Sequence, residues 1–177
     1  MDDVSPSRAV STAVEAAVAR LETAGARDEA LADYVVPKRV LGIQRAPQMV
    51  PVGRVWRLGV LLVGARGELF ATGEVTRAVE PRHPNNQAVS QEVRRAHQLA
   101  AFKGPFAPGD TVNYDASPVD LAALDRGEPS GPLIVAEGIV LVRWSPSSGA
   151  TTPLERYLAD RVDLLVDPPG GAGETER

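Results

Sequence analysis

Apolar residues recur at helical spacing in three long stretches of the chain. Val10, Val14, Ala17, Val18 and Leu21 line one side of a helix that Ser5-Pro6 opens, with serine as cap and proline in the first turn, and that Gly25 closes. A shorter, acidic helix is predicted over residues 26–34. Val89, Val93, Ala96, Leu99 and Ala100 mark the buried side of a helix over 88–103, with Arg94, Arg95 and Gln98 outward. Leu154, Tyr157, Leu158, Arg161, Val162 and Leu165 form the third stripe. It follows Thr152-Pro153-Leu154-Glu155, which reads as a capping box and predicts a helix over 153–166.

Between these stretches the pattern changes period. Pro37, Pro47 and Pro51 exclude helix and make that segment extended or looped. Arg54–Val63 and Glu68–Val79 read as two arms of a hairpin around Gly64-Ala65-Arg66-Gly67. With those four residues as the loop, Val63 faces Glu68, Trp56 faces Val75 and Arg57 faces Glu74. That register gives an apolar face backed by an opposite-charge pair. A short strand over 111–115, a short irregular helix or loop over 119–124, and β structure over 133–144, either two strands about Glu137-Gly138 or one strand with a glycine bulge, complete the pattern. The fold class that follows is α+β: a small, mostly antiparallel sheet around a central hairpin (54–79), packed with an N-terminal helix, a middle helix (88–103) and a C-terminal helix (153–166). A single domain is expected over 5–167, with unstructured ends at 1–4 and 168–177.

Composition narrows the chemistry. The chain has 177 residues and no cysteine, which excludes disulfides, thiolate metal sites and a cysteine nucleophile. Two histidines, with no carboxylates spaced around them as ligands, argue against a metal site, and no cofactor motif is present. No apolar run is long enough to cross a bilayer and no signal segment is visible, so a cytoplasmic setting is expected. The scarcity of lysine against arginine fits a GC-rich bacterial genome. The net charge of −4 conceals a division: residues 35–103 hold eleven basic and four acidic side chains, net +7, between acidic ends. That basic centre suits a small anionic ligand or the acidic surface of a protein partner. Arg94, Arg95, Lys38, Arg39 and Arg45 could face nucleic acid, but nothing aromatic interleaves them and the rest of the chain is acidic.

The hairpin register singles out one place. Extended outward, it sets Arg54 opposite Arg77 on the face that carries Trp56, and two facing arginines call for an anion between them. That anion is either a carboxylate of this chain, such as Asp115 or Asp120, or a bound ligand; the alternative is that both arginines splay into solvent at the strand ends. His83, Asn85 and Asn86 follow closely and lead into the N-terminus of the middle helix. Arg54, Trp56, Arg77, His83, Asn85 and Asn86 are therefore the candidate ligand-binding residues. His83 and Asp115 are the candidate acid–base groups should the chain be an enzyme. His97, at the edge of the helix's buried side, reads as a packed core residue, and so do Trp144 and, as the alternative to a stacking wall, Trp56.

Pro51-Val52-Gly53-Arg54-Val55-Trp56-Arg57-Leu58-Gly59-Val60-Leu61-Leu62, with Ala71–Arg77 and Gly109–Asp115, resembles a group of short uncharacterised bacterial proteins, some of them loosely named glutaminases. The resemblance covers roughly residues 37–144 and implies hydrolysis of an amide. No serine stands three places before a lysine, so the serine–lysine pair of serine-dependent glutaminases is absent and no catalytic residue carries over. Three functions are therefore expected to compete. The first is a non-enzymatic binding or accessory domain that uses its basic centre. The others are a small amidohydrolase and a subunit of a larger assembly, including a homo-oligomer.

Overall fold

The computed structural model describes residues 4–38, 45–81, 89–145 and 149–168. In chain order the elements are α1 (Pro6–Thr23), β1 (Glu29–Val35), β2 (Gln48–Leu58), β3 (Leu61–Gly64), β4 (Leu69–Ala71) and β5 (Glu74–Arg77). There follow α2 (Val89–Phe102), β6 (Thr111–Tyr114), β7 (Ser117–Pro118), α3 (Leu121–Asp125), β8 (Leu133–Ala136), β9 (Ile139–Arg143), β10 (Thr151–Pro153) and α4 (Leu154–Val166). The class is α+β, with a mixed, mostly antiparallel seven-stranded sheet and a small three-stranded one. The chain divides into two compact units. One unit takes in Met1–Arg27, Trp56–Ala71 and Pro118–Arg177, the other Asp28–Val55 and Thr72–Ser117. The expected unstructured ends lie, but for Val4 and Pro168, outside the described residues.

In the first unit α1 starts as its sequence requires: the Ser5 hydroxyl accepts from the Arg8 backbone N–H, and Pro6 occupies the first turn. Its buried side, Val10, Val14, Ala17 and Leu21, packs in one core with Leu58, Leu61, Val63, Leu133, Leu158 and Val162. β8 and β9 form a hairpin through Glu137 and Gly138, both at positive φ, as a two-residue turn requires. The capping box expected before α4 is not made. Thr151–Pro153 is instead a strand paired with β9, and no side chain caps the helix.

The central hairpin differs from its predicted form in two ways. β2 ends at Leu58 and turns back through Gly59, at φ +67°, so the long first arm is two strands. The second turn is one residue shorter than expected: the Gly64 N–H bonds the Glu68 carbonyl at 2.8 Å, with Gly67 at φ +82° inside a three-residue loop. Partners are therefore Leu61 with Ala71, Leu62 with Phe70 and Val63 with Leu69. This one-residue slip reverses the faces. The expected Arg57–Glu74 and Trp56–Val75 pairs do not form, because Glu74 and Val75 lie in β5, which pairs with β6 instead. Every residue of β3 is buried, so alternation offered no way to choose between the registers.

In the second unit the strands run in the order β5, β6, β1, β2, with β1 and β6 parallel. Residues predicted as the short acidic helix form β1, because this strand lies between two others and its backbone groups are bonded on both edges. Pro51 is accommodated where the β1–β2 register shifts, between Leu31 and Ala32. Ala30, Ala32, Met49, Val112 and Tyr114 form a core with Ala100 and Ala101 of α2.

Helix α2 is turned about its axis from the orientation its apolar pattern predicts. Ala100 and Ala101 are buried and His97 is half-buried, while Val93, Ala96 and Leu99, assigned to the inner side, are exposed together with Phe102. The physical reason lies on the strands. Small alanines on both surfaces let helix and sheet approach closely, and the buried Tyr114 hydroxyl requires a partner, which His97 supplies.

Candidate functional site

Arg54 meets carboxylates of its own chain. Its guanidinium donates to Asp28 Oδ1 at 2.7 and 3.1 Å, to the Asp28 carbonyl at 3.1 Å and to Asp110 Oδ2 at 2.6 Å. Hydrogen bonds to Asp28, then to Asp110, raise its pKa above the ordinary arginine value. The carboxylates that accept from Arg54 are those of Asp28 and Asp110, not the expected Asp115 or Asp120. The expected pairing with Arg77 is not formed. Arg54 pairs with Ala30, Ala30 with Val112, and Val112 with Thr76, while Arg77 pairs with Thr111. Cross-strand partners share a sheet face, so Arg77, next to Thr76, projects from the face opposite Arg54. Trp56 is a core residue of the first unit whose indole N–H donates to the Ala26 carbonyl at 3.0 Å. Trp144, expected in a core, is exposed. His83, Asn85 and Asn86 lie outside the described residues, so the expected ligand pocket is not assembled from the residues that are described.

A different cluster forms where β1 and β6, the two parallel strands, both end. Tyr34 is the last residue but one of β1, Tyr114 closes β6, and His97 reaches them from α2. The Tyr114 Oη lies 2.7 Å from His97 Nδ1. The His97 ring stands edge-on to Tyr34 at 4.5 Å and to Tyr114 at 4.9 Å between centroids. Burial, followed by the charges of Glu74 and Asp115, raises the Tyr114 pKa. Asp115 follows directly, at φ +54°, a backbone state that side chains rarely adopt. The carboxyl end of parallel strands is where open sheets commonly place ligands. On the neighbouring positions, Asn113 is fully buried and donates to Glu29 Oε2 at 2.8 Å and to the Ala30 carbonyl at 3.1 Å.

Sequence reasoning left this cluster unassembled. Tyr34 and Tyr114 lie far apart in the chain, and only the parallel pairing of Ala30 with Val112 and Leu31 with Asn113 brings their strand ends together. Among the described residues no group of three or more histidine and acidic side chains converges as a metal site would, and no helix is long and apolar enough to cross a membrane. The chain matches no family model, no curated protein and no solved structure. Its function is therefore argued from the geometry.

Proposed function

We propose that the chain is a binding or accessory domain whose α2 docks on an acidic, partly apolar surface of a protein partner in the cytoplasm. The observation that carries the reading is the outward turn of that helix. Val93, Leu99 and Phe102 are 50%, 38% and 44% exposed, and with Ala96 each is one i,i+3 step from the next. They make a continuous apolar ridge winding over the helix, the kind of exposed strip that marks interaction sites. Arg94, Arg95 and Lys103 flank it and have no carboxylate partner among the described residues. Cationic flanks select an acidic partner and speed the encounter. Arg54, already held by two aspartates, is outside this surface.

The test uses a designed amphipathic peptide with leucines on one face and glutamates on the other, followed by fluorescence anisotropy. Leu99→Ser alone, and Arg94→Glu with Arg95→Glu, are each expected to weaken binding by about tenfold or more. Equal binding by these variants, or equal binding of a lysine-faced peptide, would overturn the reading.

The hydrolase reading gains support from one contact, that of His97 with Tyr114. With Nδ1 engaged, Nε2 is the nitrogen left for proton transfer, and Asp115 stands next in sequence to Tyr114. Release of ammonia from glutamine, lost in His97→Ala, is the outcome it requires. No release by the unaltered chain would remove it.

A further inference from the structure

Helices α2 and α4 carry surfaces of opposite charge, each around an exposed leucine. On α2, Leu99 stands midway between Arg95 and Lys103, four residues from each, so the three follow one line along the helix with Phe102 beside them. The Lys103 N–H bonds the Leu99 carbonyl at 3.0 Å, which keeps that lysine in the last turn. On α4, Leu164 is 47% exposed and stands between Asp160, four residues before it, and Asp167, three residues after. With Asp163 these residues line an open groove of about 600 Å³. Asp163 is shared with Arg20, and Asp160 meets Arg156 only at 4.0 Å, both in exposed pairs. Asp167 has no cationic partner among the described residues. The contrast extends along the chain: the net +7 of residues 35–103 is matched over residues 104–177 by five basic and twelve acidic side chains, net −7.

We infer that the acidic, partly apolar surface on which α2 docks is α4 of a second copy of the chain. This rests on α2 being a docking helix, as proposed, and names what it docks on. The spacings agree: Arg95 to Lys103 spans about 12 Å and Asp160 to Asp167 about 10.5 Å, with a leucine near the middle of each. Leu99 set over Leu164 therefore brings both cations within reach of carboxylates, and Phe102 fills the groove beside it. Opposite charges facing across the contact steer the copies together and fix their register. Two different surfaces meet, so the contact is heterologous. Two copies can make it twice about a twofold axis, or further copies can join head to tail. One helix crossing covers roughly 200 Å² on each copy, far below the about 800 Å² of a standard interface. Association is therefore expected near ~100 µM, and to weaken as salt is added.

Sedimentation velocity at low salt, from micromolar to hundreds of micromolar, tests it. The unaltered chain is expected to associate as its concentration rises. One surface is then reversed, in one variant by Arg95→Glu with Lys103→Glu and in another by Asp160→Lys with Asp167→Lys. Each variant alone is expected to stay monomeric, because both its surfaces now carry the same sign. Mixed in equal amounts, the two variants are expected to associate again, since opposite signs meet at both contacts. Circular dichroism melts check that each variant folds, and recovery on mixing is a result that an unfolded variant could not give. A monomer throughout the series, association unchanged by either pair of substitutions, or no recovery in the mixture of folded variants would each overturn the inference. Binding of the glutamate-faced peptide by a chain that never self-associates would overturn it while leaving the reading of α2 intact.

Discussion

The Tyr114 hydroxyl and His97 Nδ1 stand 2.7 Å apart and tie the end of β6 to the middle of α2. This contact sets how the helix is rotated and so which of its residues face outward. Tyr114→Phe keeps the ring and removes the bond, leaving the half-buried His97 without that partner. The expected loss is about 1 kcal/mol, measured by urea unfolding near neutral pH.

The same tyrosine gives an alkaline pH dependence. Burial first, then Glu74 and Asp115, raise its pKa in the folded chain above the unfolded value of about 10. The folded state therefore binds the proton more tightly than the unfolded one. Its contribution is full below pH ~10 and is lost as pH rises from there through the raised folded value. Thermal midpoints recorded from pH ~8 to pH ~11 are expected to fall more steeply for the unaltered chain than for Tyr114→Phe. Parallel curves would contradict the assignment.

Arg54 is the only tie described between Asp28 and Asp110, whose side chain is 11% exposed while that of Arg54 is 47% exposed. Arg54→Met leaves a mostly covered carboxylate without its cation. Solvent screening at the half-exposed arginine limits the cost to about 1 kcal/mol, read from the denaturant midpoint. Asp110→Asn is expected to cost a similar amount, and the double variant less than the two together.

How far the sequence reveals this molecule can be judged at particular residues. The α1 stripe, its Ser5 cap and the β8–β9 turn at Glu137-Gly138 are local signals, and each corresponds to an observed element. β1 was hidden because Ala30, Leu31 and Ala32 suit a helix until strands pair on both sides. The hairpin register turned on whether Gly64 belongs to the loop or to the strand, a one-residue question that a wholly buried β3 could not answer. An anion at Arg54 was expected on account of a facing Arg77, a pairing the structure does not form. The acceptors it does have, Asp28 and Asp110, were not legible, because both come from outside the hairpin.

Gly59 and Tyr157 depend on each other across the turn between β2 and β3. The Tyr157 hydroxyl accepts from the Val60 N–H at 2.9 Å and donates to the Leu58 carbonyl at 3.1 Å. A Cβ at Gly59, already at φ +67°, would collide with that hydroxyl. Gly59→Ala is expected to cost about 2 kcal/mol or more, and Tyr157→Phe about 1–2 kcal/mol. Removing the hydroxyl also removes the collision, so the double variant is expected to lose less than the sum. Chemical denaturation of all three variants measures the difference.

The rotation of α2 can be checked without any partner, because it reverses the usual expectation for an apolar and a small residue. Leu99, the larger and more apolar, is 38% exposed, whereas Ala101 is fully buried against the strands. Leu99→Asn is expected to shift stability by no more than about 0.5 kcal/mol, as ordinary surface substitutions do. Ala101→Leu forces extra volume between helix and sheet and is expected to cost about 1–3 kcal/mol. If the apolar pattern of the sequence governed the packing, the order would be inverted: Leu99→Asn would be the damaging change and Ala101→Leu the harmless one. Thermal melts of the two variants separate these orientations directly.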